Sequence, residues 1–285
     1  MQTNEVWYKV TGSCKPEDYE LAAFFLMDAG VGALEELESS TPERTDFRFY
    51  AKEKSDCEKI ILRFPQYRLA VEEEPAKDWD RWWKDRATPV HVSDKIWVRP
   101  PWVAFTPPEK EAICLVLEAK SAFGTGDHAT TALIAGMMES LELKGKTLLD
   151  IGTGTGILSM IADKLGAKLA VGTEIDMLAL PCIAENFAQN GCYHSRAVFG
   201  FLDVFQKNST FDCIVCNMIR TEFWPMRKDV ERLLSPGGHF ILTGQLTAEK
   251  DFVLDWFREA GFCIVREQTR DEWWCVEAVF SGEAS

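Results

Sequence analysis

The chain has 285 residues, a hydrophobic fraction of 46% with ten Trp, and a formal net charge of −14, which is more than one ordinary domain needs and enough apolar material for a large core beside a small one. Proteins hold phosphate backbones with Lys and Arg, so this acidity argues against direct nucleic-acid binding and makes a basic protein the more natural partner, unless the charge serves solubility alone. No run approaches the roughly 18 apolar residues of a membrane span, Met1-Gln2-Thr3-Asn4-Glu5 has no basic or apolar leader, and nine scattered cysteines read as reduced thiols; the expectation is a cytoplasmic protein without disulfides or membrane contact.

In chain order, the first elements are a strand at Val6–Val10, a helix over Pro16–Ala29 and a strand at Ala33–Leu37. After the turn-forming Ser39-Ser40-Thr41-Pro42 come a strand at Phe47–Tyr50, a helix over Cys57–Phe64 and a strand at Arg68–Val71. This βαββαβ order predicts a small ferredoxin-like α+β domain over residues 1–75. Residues 76–100 break the pattern with Asp78-Trp79-Asp80-Arg81-Trp82-Trp83-Lys84 and read as a linker, whose Trp cluster is either a binding surface or buried packing. Over residues 101–285 helices alternate with the apolar strands Thr147–Asp150, Leu169–Gly172, Asp212–Cys216 and His239–Leu242. Continuous apolar strands separated by helices predict an α/β, Rossmann-like domain with a parallel sheet covered on both faces.

The strongest local signal is Leu149-Asp150-Ile151-Gly152-Thr153-Gly154-Thr155-Gly156, which ends a strand and opens a helix. Glycines at such a turn let the backbone bend tightly and approach a ligand that a Cβ would push away. The spacing is G-x-G-x-G, whereas the dinucleotide fingerprint would need glycine at Ile157, so a pyrophosphate is not expected. Asp150, at the strand end, suits a positively charged amino-acid group on the ligand. Glu174, closing the next strand, can accept both hydroxyls of a ribose. Asp176 either shares that role or is a solvated loop acid. Together these features predict a seat for adenosine without phosphate. Cys213 and Cys216 form C-x-x-C, but positions i and i+3 of a strand face opposite sides, so no metal site is expected.

Ahead of the loop stands Ala122-Phe123-Gly124-Thr125-Gly126-Asp127-His128-Ala129-Thr130-Thr131. Further marked segments are Trp79–Trp83, Ile96–Trp102, Glu174-Ile175-Asp176, Glu185-Asn186, Asn190-Gly191, Asn217-Met218-Ile219 and Leu234–Gly238. On these segments, from about residue 75 to 245, the chain resembles the ribosomal protein L-eleven methyltransferases of the PrmA type, whose first motif reads A-F-G-T-G-T-H-P-T-T. The resemblance implies a class I (Rossmann-like) S-adenosylmethionine-dependent methyltransferase domain after the ferredoxin-like one. It implies an enzyme that methylates lysine, and in a wider reading N-terminal α-amino, groups of a large-subunit ribosomal protein. The family's S-adenosylmethionine contacts fall on Thr131, Gly152, Glu174 and Asn217, with Gly154 and Asp150 beside them in the loop. Phe123 is expected to cover the cofactor, and Gly124 and Gly126 to let that loop move. The chain departs from the pattern at Asp127 for Thr, Ala129 for Pro, Thr153 where Cys is frequent and Glu174 where Asp is usual.

Methyl transfer from a sulfonium is an in-line displacement, so the protein's work is positioning and management of the nucleophile's proton. A lysine amine, with pKa about 10.4, must arrive neutral; desolvation and a nearby positive sulfonium both favour that, and no strong base is obligatory. Asn217, after the strand ending at Cys216, can accept a hydrogen bond from the amine and aim its lone pair. Its other reading is an Asn closing a turn. Methyltransferases of amides and adenine amines share an N-P-P-[YF] run, which Asn217-Met218-Ile219 is not. His128 is either a general base or a brace of the loop. Two rival functions stand beside this one: a class I methyltransferase for another protein or a small-molecule amine, and a non-catalytic S-adenosylmethionine-binding scaffold of ribosome assembly. A separate N-terminal domain, taken as the substrate-recognition domain, favours a macromolecular acceptor.

Overall fold

Alternation of inward and outward side chains starts the first of two units, residues 1–86. The computed structural model describes residues 6–31, 34–37, 39, 43–75, 87–118 and 126–282. Strand β1 (Val6–Cys14) is followed by α1 (Tyr19–Asp28), β2 (Glu35–Leu37), β3 (Thr45–Ala51), α2 (Lys54–Arg63) and β4 (Ala70–Pro75). The sheet order is β2-β3-β1-β4, with every neighbouring pair antiparallel. This is the ferredoxin-like arrangement expected from the pattern. On β3 the period of two is plain, since Thr45, Phe47 and Phe49 turn inward. The phenylalanines meet Val10, Leu26, Cys57 and Ile60 in a core of their own.

The second unit, residues 87–285, opens with a three-stranded sheet of β5 (Val90–Ser93), β6 (Ile96–Arg99) and β7 (Ile113–Val116). The linker expected over 76–100 therefore includes a hairpin: residues 90–99 form two paired strands that bury Val92, Ile96 and Val98. Each strand is only four residues long, too short for alternation to stand out. The Trp79–Trp83 cluster lies outside the described residues.

Next come α3 (Ala129–Glu139), β8 (Thr147–Ile151), α4 (Ile157–Lys164), β9 (Leu169–Glu174), α5 (Leu180–Gln189), β10 (Ser195–Phe199) and β11 (Phe211–Asn217). The chain ends through α6 (Arg220–Phe223), α7 (Arg227–Leu233), β12 (Leu234–Leu246), α8 (Lys250–Glu259), β13 (Phe262–Arg270) and β14 (Trp273–Phe280). The seven-stranded sheet has the order β10-β9-β8-β11-β12-β14-β13. Strands β10 to β12 run parallel as expected, while β14 inserts antiparallel between β12 and β13.

Successive residues of the central strands feed opposite faces. Leu148, Val215 and Ile241 join Ile157 and Ile161 on one side; Leu149, Ile214 and Phe240 join Phe257 and Trp274 on the other. Cys213 packs with the first group and Cys216 with the second, so the C-x-x-C pair is divided by the sheet. No described helix is long and apolar enough to cross a membrane.

Candidate active site

Beyond Ile151 the chain passes through Gly152 (φ +69°), Gly154 (φ +56°) and Gly156 (φ +85°), three left-handed residues in five. That region costs L-residues roughly 1–2 kcal/mol each, which is why the turn is built of glycine. The loop is then tied down on several sides. Thr153 N donates to Thr173 O (2.9 Å), Gly154 N to Glu174 Oε2 (3.0 Å), and Asn186 Nδ2 of α5 to Thr155 O (3.0 Å). Glu174 Oε1 also accepts from Ile175 N (2.8 Å) and Asp176 N (3.0 Å).

Asp150 corrects the expectation placed on it. Its carboxylate does not line the cavity described below; Oδ2 accepts from Thr153 Oγ1 (2.6 Å), Ser159 Oγ (2.9 Å) and Ser159 N (3.1 Å) inside the turn. Burial pushes its pKa up to about 6 against the opposing pull of those hydrogen bonds. In this structure the carboxylate shapes the turn. Gly126 (φ +93°) likewise faces Val92 and Val98, where a Cβ would approach to 3.2 Å, and not the cavity. Phe123 and Gly124 lie outside the described residues.

A cavity of about 920 Å³ opens at the carboxyl ends of β8, β9, β10 and β11. Gly152, Gly154, Glu174, Asn217, Thr131 and His128 all line it, so six of the eight described residues singled out from sequence converge there. Thr131 is 1% exposed and its hydroxyl has no hydrogen-bond partner among the described residues; a buried orphan of this kind marks a place for a ligand. The side-chain amide of Asn217 makes no hydrogen bond with described residues. His128 supports the bracing reading: it caps α3, accepting from Thr130 N (3.3 Å), with Nδ1 2.8 Å from Thr130 Oγ1 and its ring edge-on to Trp273.

Sequence reasoning missed Phe201, Met218, Glu222 and Trp273 in the wall. Only Met218 carried a signal, its place after Asn217. Among the described residues no Lys or Arg lines the cavity, which disfavours a phosphate and suits a positively charged ligand. Among the described residues no group of three His, Cys, Asp or Glu is placed to hold a metal.

Residues 36–281 match the family model of the ribosomal protein L11 methyltransferases (PrmA). The chain belongs to this methyltransferase family. A ribosomal protein L11 methyltransferase of Geobacter metallireducens is 30% identical over 297 aligned positions, covering 96% of this chain and 98% of that one. The namesake of Aliivibrio salmonicida is 32% identical over 209, covering 73% and 70%. Among solved structures, the ribosomal protein L11 methylase of Lactobacillus delbrueckii subsp. bulgaricus superposes with a TM-score of 0.61 at 26% identity, over 67% of this chain and 97% of that one. The protein is thus an S-adenosylmethionine-dependent methyltransferase. Its cavity suits that cofactor on the features above: an orphan hydroxyl, glycines allowing close approach, an acid at the end of β9 and no basic group to pair with phosphate.

Proposed function

We propose that this methyltransferase modifies lysine, and α-amino, groups of the large-subunit ribosomal protein L11, in the cytoplasm and without gripping nucleic acid or membrane itself. The observation that carries the reading is Asn217: an amide with no described hydrogen-bond partner, in the same cavity as the glycine loop. When bound, S-adenosylmethionine supplies an electrophilic methyl group on a positive sulfonium.

The chain's own residues supply placement. Gly152 and Gly154 let the backbone close on the nucleoside, Glu174 accepts from a ribose hydroxyl at the remaining site of Oε2, and Thr131 offers its unspent hydroxyl. Asn217 Oδ1 accepts from the acceptor amine and directs its lone pair at the methyl group, which holds the pair in line for displacement. The apolar walls, with Phe201, Ile219 and Met226, thin the water around the amine, which favours its neutral form. Residues 1–75 hold the acceptor protein, a role supported by their separate core and by the lack of a glycine loop there.

The test is incubation with labelled S-adenosylmethionine and unmodified ribosomal protein, followed by mass-spectrometric mapping of the methylated residues. A chain starting at Lys77, which retains Trp79–Trp83, is expected to bind the cofactor with nearly unchanged affinity and to lose protein methylation. Label on no protein amine would refute the acceptor, and full activity of the shortened chain would refute the role of residues 1–75.

A further inference from the structure

We infer that Glu222 is the carboxylate that receives the incoming ammonium and selects cationic acceptors; this rests on the reading of the acceptor as a protein amine. Helix α6 starts three residues beyond Asn217, and its first turn is fixed to the end of β11. Glu222 N and Phe223 N both donate to Ile219 O, at 3.1 and 3.0 Å. Phe223 is fully buried against Phe240 and Trp256, with ring centroids 5.9 and 5.6 Å apart. With Phe223 locked into the core, Thr221 and Glu222 are held in the cavity wall.

The acids of that wall differ in what they have left to offer. Glu174 accepts from three backbone N–H groups, Asp176 accepts from Leu178 N (2.9 Å), and Asp229 pairs with Arg232 (2.9 Å). Glu222 has no hydrogen bond or ion pair with described residues. Its neighbour Arg220 is engaged elsewhere, with Glu249 at 2.6 Å and over the ring of Phe252 at 5.2 Å. Among the described residues no Lys or Arg lines the cavity to neutralise the charge. Thr131, the orphaned hydroxyl in the same cavity, independently marks it as a place for a ligand.

An exposed carboxylate attracts cations weakly in open water, but here Ile219, Pro225 and Met226 stand beside it in the wall. Apolar neighbours lower the local dielectric and lengthen the reach of the charge. That reach extends to β11: the thiol of Cys216, directly before Asn217, is raised by burial first, then by Asp150 and Glu222. Glu222 thus shares the cavity wall with Asn217, and charge-assisted hydrogen bonds would hold a lysine ammonium there. A carboxylate favours the charged amine, so its contribution is to capture, while the proton must still leave before transfer.

The decisive experiment uses the full chain with S-adenosylmethionine and unmodified ribosomal protein L11, comparing wild type with Glu222→Gln, Glu222→Lys and Glu222→Asp. Glu222→Gln is expected to raise KM for the ribosomal protein about tenfold at low salt and less at high salt, with a smaller change in kcat. Glu222→Lys should raise KM further, and Glu222→Asp should restore part of the loss. Calorimetry should give the same cofactor affinity throughout. An unchanged KM in Glu222→Gln and Glu222→Lys, or a parallel loss of cofactor affinity in all variants, would overturn the assignment. A wild type that leaves every protein amine unmethylated would instead overturn the acceptor reading, and this inference with it.

Discussion

The two walls of the cavity are held in opposite ways. On the β8–β9 side, polar groups satisfy one another: Asp150 binds Thr153 and Ser159, and Glu174 binds Gly154 and the two residues that follow it. On the β11 side the backbone is wedged by contact. Gly244 (φ +83°) faces Met218 so closely that a Cβ would fall 2.5 Å from its carbonyl oxygen, and Gln245 Nε2 donates to that oxygen at 2.6 Å. Asn217 and Glu222 make no side-chain hydrogen bond with described residues. A wall that seats one invariant ligand can spend its polar groups on its own shape, whereas a wall that meets the acceptor must keep them available and be fixed by packing instead.

The largest effect should come from removing the wedge. Gly244→Ala puts a methyl against the backbone of Met218 at a positive φ, and is expected to cost about 2–4 kcal/mol and to displace Asn217. Urea unfolding and turnover of the same preparation would measure both; a variant as stable and active as wild type would erase the proposed difference between the walls. Next, Asn217→Ala should lower turnover about 10²-fold with cofactor affinity nearly intact. Glu174→Ala should weaken cofactor binding by about 1–3 kcal/mol, because it strips the ribose acceptor and leaves three N–H groups without theirs. Equal losses of affinity and turnover in both variants would mean that the walls do not divide the work.

The smallest effect concerns Asp150, whose folded-state pKa of about 6 stands above its ordinary 3.8. A raised pKa means that the folded protein binds the proton more tightly, so this group's contribution to stability is greatest below pH 4. It is lost as pH rises through 6. Asp150→Asn should flatten that fall, with the wild-type chain losing about 1 kcal/mol relative to the variant between pH 5 and 7.5. Denaturant unfolding at pH 5 to 7.5 would detect it, and parallel pH profiles would show that burial of the charge is already compensated.

Much of the first wall was legible in the sequence, because left-handed turns demand glycine and leave a spacing that can be read. The place of Asp150 is not legible for a physical reason: an acid at a strand end can face the ligand or fold back into the turn, and here Thr153 and Ser159 draw it into the turn. Glu222 and Trp273 could not be read, since they reach the cavity through packing, one by the locking of Phe223 and the other by the insertion of β14. Strands β13 and β14 escaped as well; β13 presents mostly polar, exposed residues, whose pattern is weak at a sheet edge. The ferredoxin-like unit was legible because β3 keeps its period of two and the turn residues between the elements mark their βαββαβ order.

The division of Cys213 and Cys216 by the sheet has a practical consequence for following how the domain opens. Both thiols are buried and held protonated by that burial, so an alkylating reagent can reach either one only when the layer covering it lifts. Because the two lie on one strand but under different helical layers, their labelling rates would report the two faces separately. Matching rates would indicate that the faces part in a single cooperative event, and unequal ones that one layer peels away before the other.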